Sequence, residues 1–209
     1  MTSDLLFEFD KSYSQPIVGT DEAGRGPGAG GVFASAVQFE EVTESLIKDL
    51  AILNDSKKLT PKKRESIFDA IKNNTNNKII CIEVDEIEEI NILNASLKAM
   101  KLACESVLTN CPNALTLVDG NKLIKNFSYP QEFVIKGDSK SASIAGASIL
   151  AKVSRDRYME RLHEEFPMYN WAKNAGYLTK EHLEAIDKYG LTKYHRPSFL
   201  KKHFEKSMK

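Results

Sequence analysis

Three apolar runs in this chain, "IVGTDE", "LTLVDG" and "FVIKGD", pass through β-compatible residues and end on acids: Asp21 with Glu22, then Asp119, then Asp138. That repetition limits the fold more than any other feature. A single acid closing a strand marks only the point where the chain surfaces, and Asp138, ahead of "SKSASI", would serve equally as a helix cap. If the three strands are neighbours, however, four carboxylates meet at one edge of a sheet, where their repulsion demands a cation. An all-oxygen, carboxylate-rich site suits hard ions, Mg²⁺ or Mn²⁺. His163, His182, His195 and His203 are scattered and lack zinc-like spacing. A pair of hard ions among carboxylates suits in-line phosphoryl displacement.

The intervening segments place those strands in an α/β frame. "QPIVGTD", "GGVFASAVQF" and "KIICIEV" read as strands. Thr60-Pro61 is a helix start, with Thr60 as N-cap and Pro61 in the first turn. Leu93, Leu97, Met100, Cys104 and Val107 recur at helical spacing, and "SIAGASILAKVSRDRYMERLHEEF" is a long helix whose small-residue start fits close packing on a sheet. "TKEHLEAIDKYG" is a shorter helix with Gly190 as its stop. Strands with inserted helices, then strand–helix alternation, predict an α/β sandwich on a mixed sheet, with function at strand ends.

A chain of 209 residues, 42% hydrophobic, is long enough to bury one core without staples. No apolar run is long enough for a bilayer, and "MTSDLLFEFD" lacks the form of a signal peptide. Cys81, Cys104 and Cys111 are odd in number and show no C-x-x-C pairing, so they read as reduced thiols of a cytosolic protein. The net charge is zero and gives no hint of a nucleic-acid partner. Its distribution does: residues 55–64 carry five basic residues against one acid, and residues 193–209 carry six against one. Such runs are commonly solvated faces, as "EVDEIEE" is expected to be, but two basic clusters brought together would make a phosphate track.

The loop after the first acids, "GRGPGAGG", would be either a tight turn or a backbone surface that an anion or sugar can approach closely. No G-K-[ST] follows, so it is not a P-loop. Acids inside the turn would repel a pyrophosphate, so it is not a dinucleotide fingerprint. Gly24-Arg25-Gly26 sets one planar, multi-donor cation within it.

Taken together, "GTDEAGRGPGAG", "LNDSKKLT", "EINILNASLKAM", "LVDGN", "KGDSKSASIAGASILAKVSRDRYM" and "AGYLTKEH" resemble bacterial ribonuclease HII, in family order over roughly residues 17–199. The resemblance implies a single domain over 1–209: a ribonuclease H-like mixed-sheet sandwich at about 15–165 and a small helical C-terminal segment at about 166–209. It implies cleavage of the RNA strand of RNA–DNA hybrids and of DNA duplexes containing single ribonucleotides, as in ribonucleotide excision repair, leaving 5′-phosphate and 3′-hydroxyl ends. Mn²⁺ or Mg²⁺ would be held by Asp21, Glu22, Asp119 and Asp138. Gly24, Arg25 and Gly26 match the motif that contacts ribose 2′-hydroxyls. Tyr177 matches the tyrosine that stacks on the deoxyribose after the ribonucleotide, although alone it would read as a packing residue. Lys57, Lys58, Lys152, Arg155 and Arg196 are candidate phosphate contacts, each otherwise a surface charge. A cytoplasmic monomer is the expected form.

The sequence departs from the family pattern at Gly28 and Gly31, which would loosen the loop, and at Asn174 and Ala175, where His-Lys is common. Ribonuclease HIII fits less well, since it usually has Lys at the position of Arg25 and a long segment ahead of the first acids, where twenty residues precede Asp21 here. A binding protein without catalysis would not need all four acids. A small-substrate phosphohydrolase would leave Tyr177 and the basic tail without a role.

Overall fold

Apolar residues on both faces of the central strands require helices above and below them. The computed structural model describes residues 3–54 and 56–207. Asp55, the one acid of the first basic run, and residues 208–209 of the basic tail lie outside them. Five strands form one sheet in the order β3 (Asn76–Ile82), β2 (Val32–Gln38), β1 (Ile17–Ala23), β4 (Leu115–Asp119), β5 (Gln131–Val134). β1, β2 and β3 are antiparallel neighbours, whereas β1, β4 and β5 run parallel. The sheet is therefore mixed, and its three parallel strands end at the same edge.

α1 (Ser3–Lys11), α2 (Glu44–Asp49) and α3 (Pro61–Asn73) build one layer with the long α6 (Ala142–Glu165), and α5 (Ile92–Leu108) builds the other. Val18, Ala34, Val118, Met100 and Cys104 pack in the α5 core, and Phe7, Ile67, Phe68, Ala145 and Ile149 in the α6 core. α6 lies almost on the backbone of β1: a methyl at Gly19 would come 2.2 Å from the Ile144 amide nitrogen. Gly19 on β1 permits that approach, and the small residues at the start of α6 suit close packing on the sheet, as the sequence predicts. Thr60 caps α3 through the Lys63 amide. Ser141 rather than Asp138 caps α6, accepting from the Ile144 amide at 3.2 Å, which leaves the Asp138 side chain to another task.

The acidic run differs from expectation. It forms α4 (Val84–Ile90), with Val84 and Ile87 buried. Glu83 accepts from the Tyr158 hydroxyl, Glu86 pairs with Lys98, and Glu88 accepts from both the amide and the hydroxyl of Ser198. These acids hold elements together, so a purely solvated flank is not what the fold makes of them.

Beyond α6, the short α7 (Trp171–Asn174), α8 (Lys180–Tyr189) and α9 (Pro197–Ser207) follow, with Gly190 in a left-handed conformation at the end of α8. Trp171 is fully buried, stacked on Tyr169 and edged by His182 and His195. The Thr192 amide donates to His195 Nδ1, so His195 carries its proton on Nε2 and donates it to His182 Nε2 at 3.1 Å. Trp171 Nε1 donates to the same nitrogen, which leaves His182 Nδ1 to donate to the Tyr177 carbonyl. Both rings are neutral: burial pushes His182 down, and burial with the neighbouring His182 pushes His195 down to about 4. Among the described residues no helix is long and apolar enough to cross a membrane.

Candidate active site

The parallel strands bring the acids together. Pairing of Thr20 with Val118 sets Asp21 level with Asp119 at adjacent strand ends. After β5, Lys136 adopts a left-handed conformation (φ 56°, ψ 44°) and turns the chain into a short 3-10 segment carrying Asp138. Asp119 Oδ1 accepts from the Gly137 amide at 2.6 Å, fastening that segment to β4. One ligand atom from each of Asp21, Asp119 and Asp138 then lies within 4.8 Å of the others, and Asp21 and Asp138 are buried. Glu22 stands outside this trio, with its Oε1 3.1 Å from Arg25 Nη1.

Burial drives the Asp21 carboxyl well above the usual carboxylate range, and the charges of Glu22 and Asp119 add to the rise against an opposing Ser148 hydrogen bond. Burial also raises Glu22, opposed chiefly by Arg25. Three carboxylates this close, one of them reluctant to ionise, form a donor set that a hard divalent cation would relieve. The Ser148 hydroxyl lies 2.8 Å from that of Ser56, tying the acid site to the segment that carries Lys57 and Lys58.

The trio opens into two clefts. One, of about 560 Å³, is lined by Asp21, Glu22, the Gly24–Gly26 backbone, Lys57, Lys152 and Tyr177. The other, of about 530 Å³, holds Asp119 and Asp138 beside Lys57 and Lys58. Tyr177 is 53% exposed, and its ring edge sits 3.3 Å from where a Gly26 side chain would begin. Lys152 faces the cleft but pairs with Asp156 at 2.5 Å, and Asp156 also meets Arg64.

Arg155 and Arg196 require correction as phosphate contacts. They are 1% and 0% exposed, and their guanidinium groups are spent on main-chain carbonyls. Arg155 donates to Ala29, Gly31 and Ala175, and Arg196 donates to Gly30 and Pro27. The physical reason lies in the glycine loop. Its carbonyls turn inward and need buried donors, and a guanidinium fork meets several at once. Gly24 has φ +103°, and a side chain there would strike Arg155 Nε at 2.2 Å. Gly28 and Gly31 do not loosen this loop: side chains would meet Leu178 at 2.5 Å and Cys81 at 2.6 Å. The sequence reading also missed the buried His182–His195 pair, thirteen residues apart, because the residues meet only through the turn before α9.

The family model described as Ribonuclease HII matches residues 18–207. A ribonuclease HII of Fusobacterium nucleatum is 46% identical over 203 residues, covering 96% of this chain and 92% of that protein. Among solved structures, the ribonuclease H2 of Pyrococcus horikoshii OT3 superposes with a TM-score of 0.71 at 24% identity, covering 93% of this chain and all of that one. Bst-RNase HIII in complex with Mn²⁺ superposes with a TM-score of 0.66 at 17% identity, covering 90% of this chain and 65% of that one. At those identities the superpositions establish the α/β ribonuclease H-like fold. The sequence matches, spanning nearly the whole chain, establish that this protein belongs to the ribonuclease HII family, endoribonucleases acting on RNA–DNA hybrids.

Proposed function

We propose that the chain also nicks duplex DNA on the 5′ side of a single embedded ribonucleotide, leaving 5′-phosphate and 3′-hydroxyl ends. Asp21, Asp119 and Asp138, joined by Glu22, hold Mn²⁺ or Mg²⁺. The observation that carries this reading is the convergence of three carboxylates from three elements beside a glycine-lined backbone and an exposed tyrosine ring. The donor set is all oxygen, and a protein of the same fold binds Mn²⁺. Bound divalent ions supply Lewis-acid activation of a water and stabilisation of the departing 3′ oxygen.

The protein's own groups supply selectivity. The 2′-hydroxyl distinguishes RNA from DNA at a single position, and Gly24 and Gly26, on either side of Arg25, present backbone to the cleft with no side chain of their own to keep a sugar away. Hydrogen-bonding groups placed for a hydroxyl lose their partner when it is missing, which discriminates strongly. The Tyr177 ring, against Gly26, covers the next sugar and disfavours a 2′-hydroxyl there. Lys57 and Lys58, exposed beside the second cleft, contact phosphates. Lys152 does so more weakly, since Asp156 shares its charge.

An end-labelled DNA duplex containing one ribonucleotide tests this reading. A single nick 5′ of the ribonucleotide is expected with Mn²⁺ or Mg²⁺, lost with EDTA and restored by excess ion. Cleavage that survives chelation, or equal cleavage of an all-DNA duplex, would refute it.

A further inference from the structure

Arg155 lies beneath the two segments that read the substrate. Its Nε and Nη2 donate to the carbonyls of Gly31 and Ala29 at 3.3 and 3.1 Å, both in the glycine loop, while Nη1 donates to Ala175 at 3.0 Å, in the turn that leads to Tyr177. One side chain from α6 therefore spans both segments. They also touch directly, with the Gly28 amide 2.9 Å from the Gly176 carbonyl. The joint has no slack: a side chain at Gly24 would begin 2.2 Å from Arg155 Nε, and one at Gly176 would begin 2.5 Å from the Ala29 carbonyl oxygen. Ala175 itself is left-handed (φ 48°, ψ 31°), a conformation that persists only where its surroundings enforce it.

We propose that Arg155 is a positioning residue for substrate selection: it locks the glycine loop to the Ala175–Tyr177 turn, so that the 2′-hydroxyl-reading backbone and the junction-reading ring stand a fixed distance apart. This rests on the reading of Tyr177 as a contact to the sugar after the ribonucleotide. A ring held at that spacing accepts a deoxyribose next to a ribose. A ring free to drift no longer distinguishes the two sugars. Lysine cannot substitute for the arginine, because a single ammonium on a flexible stem does not reach three carbonyls from two directions.

The test compares kcat/KM on a duplex with one ribonucleotide to kcat/KM on a uniform RNA–DNA hybrid, which offers a 2′-hydroxyl at every sugar and needs no junction register. The ratio does not depend on the fraction of folded protein, so a loss of stability alone leaves it unmoved. Misplacement on the ångström scale can lower rates by about 100-fold, and Arg155→Lys is expected to lower the ratio by about tenfold. Gly176→Ala keeps Arg155 and pries at the same joint, so it should shift the ratio in the same direction and carries the test if Arg155→Lys does not fold. Tyr177→Ala is measured alongside. A fall in the ratio with Tyr177→Ala but not with Arg155→Lys or Gly176→Ala would overturn the positioning role and spare the tyrosine. No change with Tyr177→Ala would overturn the tyrosine reading and the positioning role with it.

Discussion

Asp21→Asn is expected to abolish cleavage and, in the same protein, to raise the melting temperature of the metal-free form. The first effect follows from removing the central charge of the acid trio. Transition-state stabilisation of several kcal/mol through bound divalent ions corresponds to about 10³-fold or more in rate. The second follows from the state of that carboxyl without a cation. Burial, with the charges of Glu22 and Asp119, holds its pKa well above the unfolded value, so the fold favours the protonated form. Its contribution to stability is full below the unfolded pKa and is lost as pH rises through the folded one. An amide carries no such penalty. The variant should therefore lose less stability than the parent between acidic and neutral pH, with each kcal/mol gained worth about 2–4 °C in a chain of this size. Thermal melts in EDTA at several pH values, with turnover assays in Mn²⁺, check both halves. A variant with near-normal turnover would remove Asp21 from the site.

Arg196→Ala is expected to produce a loss of stability far larger than that of a surface charge. Its Nε and Nη2 both donate to the Gly30 carbonyl and its Nη1 to that of Pro27, and the side chain is fully buried. Burial and the nearby Arg155 charge push its pKa down to about 9, so it is still charged at neutral pH. Truncation leaves two buried carbonyls without donors and a cavity the width of the side chain, a loss of about 3–5 kcal/mol. Denaturant unfolding in the absence of metal measures it. A loss below about 1 kcal/mol, the size expected of a surface charge, would return Arg196 to the phosphate contacts.

These two residues mark the boundary of what the sequence discloses. Asp21, Asp119 and Asp138 were legible because each closes an apolar run, and parallel strands deliver their ends to one edge. Thr60-Pro61 and the small-residue face of α6 were legible because capping and close packing are local requirements. Arg155 and Arg196 were misplaced because their burial depends on a glycine loop folding its carbonyls inward, and no neighbour in sequence signals that. Three helices passed unread: α1 and α2, neither longer than nine residues, and α4, whose buried Val84 and Ile87 lie three apart within a run of acids. Glu22, grouped with the other acids by adjacency and by the matched "DEAGRG" motif, accepts from Arg25 at the rim of the trio, a pairing across three residues that the sequence alone does not signal.

The central claim is that Asp21, Asp119 and Asp138 form a cation-holding pocket. Crystals of the protein soaked in Mn²⁺ and measured at the manganese absorption edge test it most directly. An anomalous peak within coordination distance of all three carboxylates is predicted. Manganese bound elsewhere, with no density among these three acids at saturating ion, would contradict it.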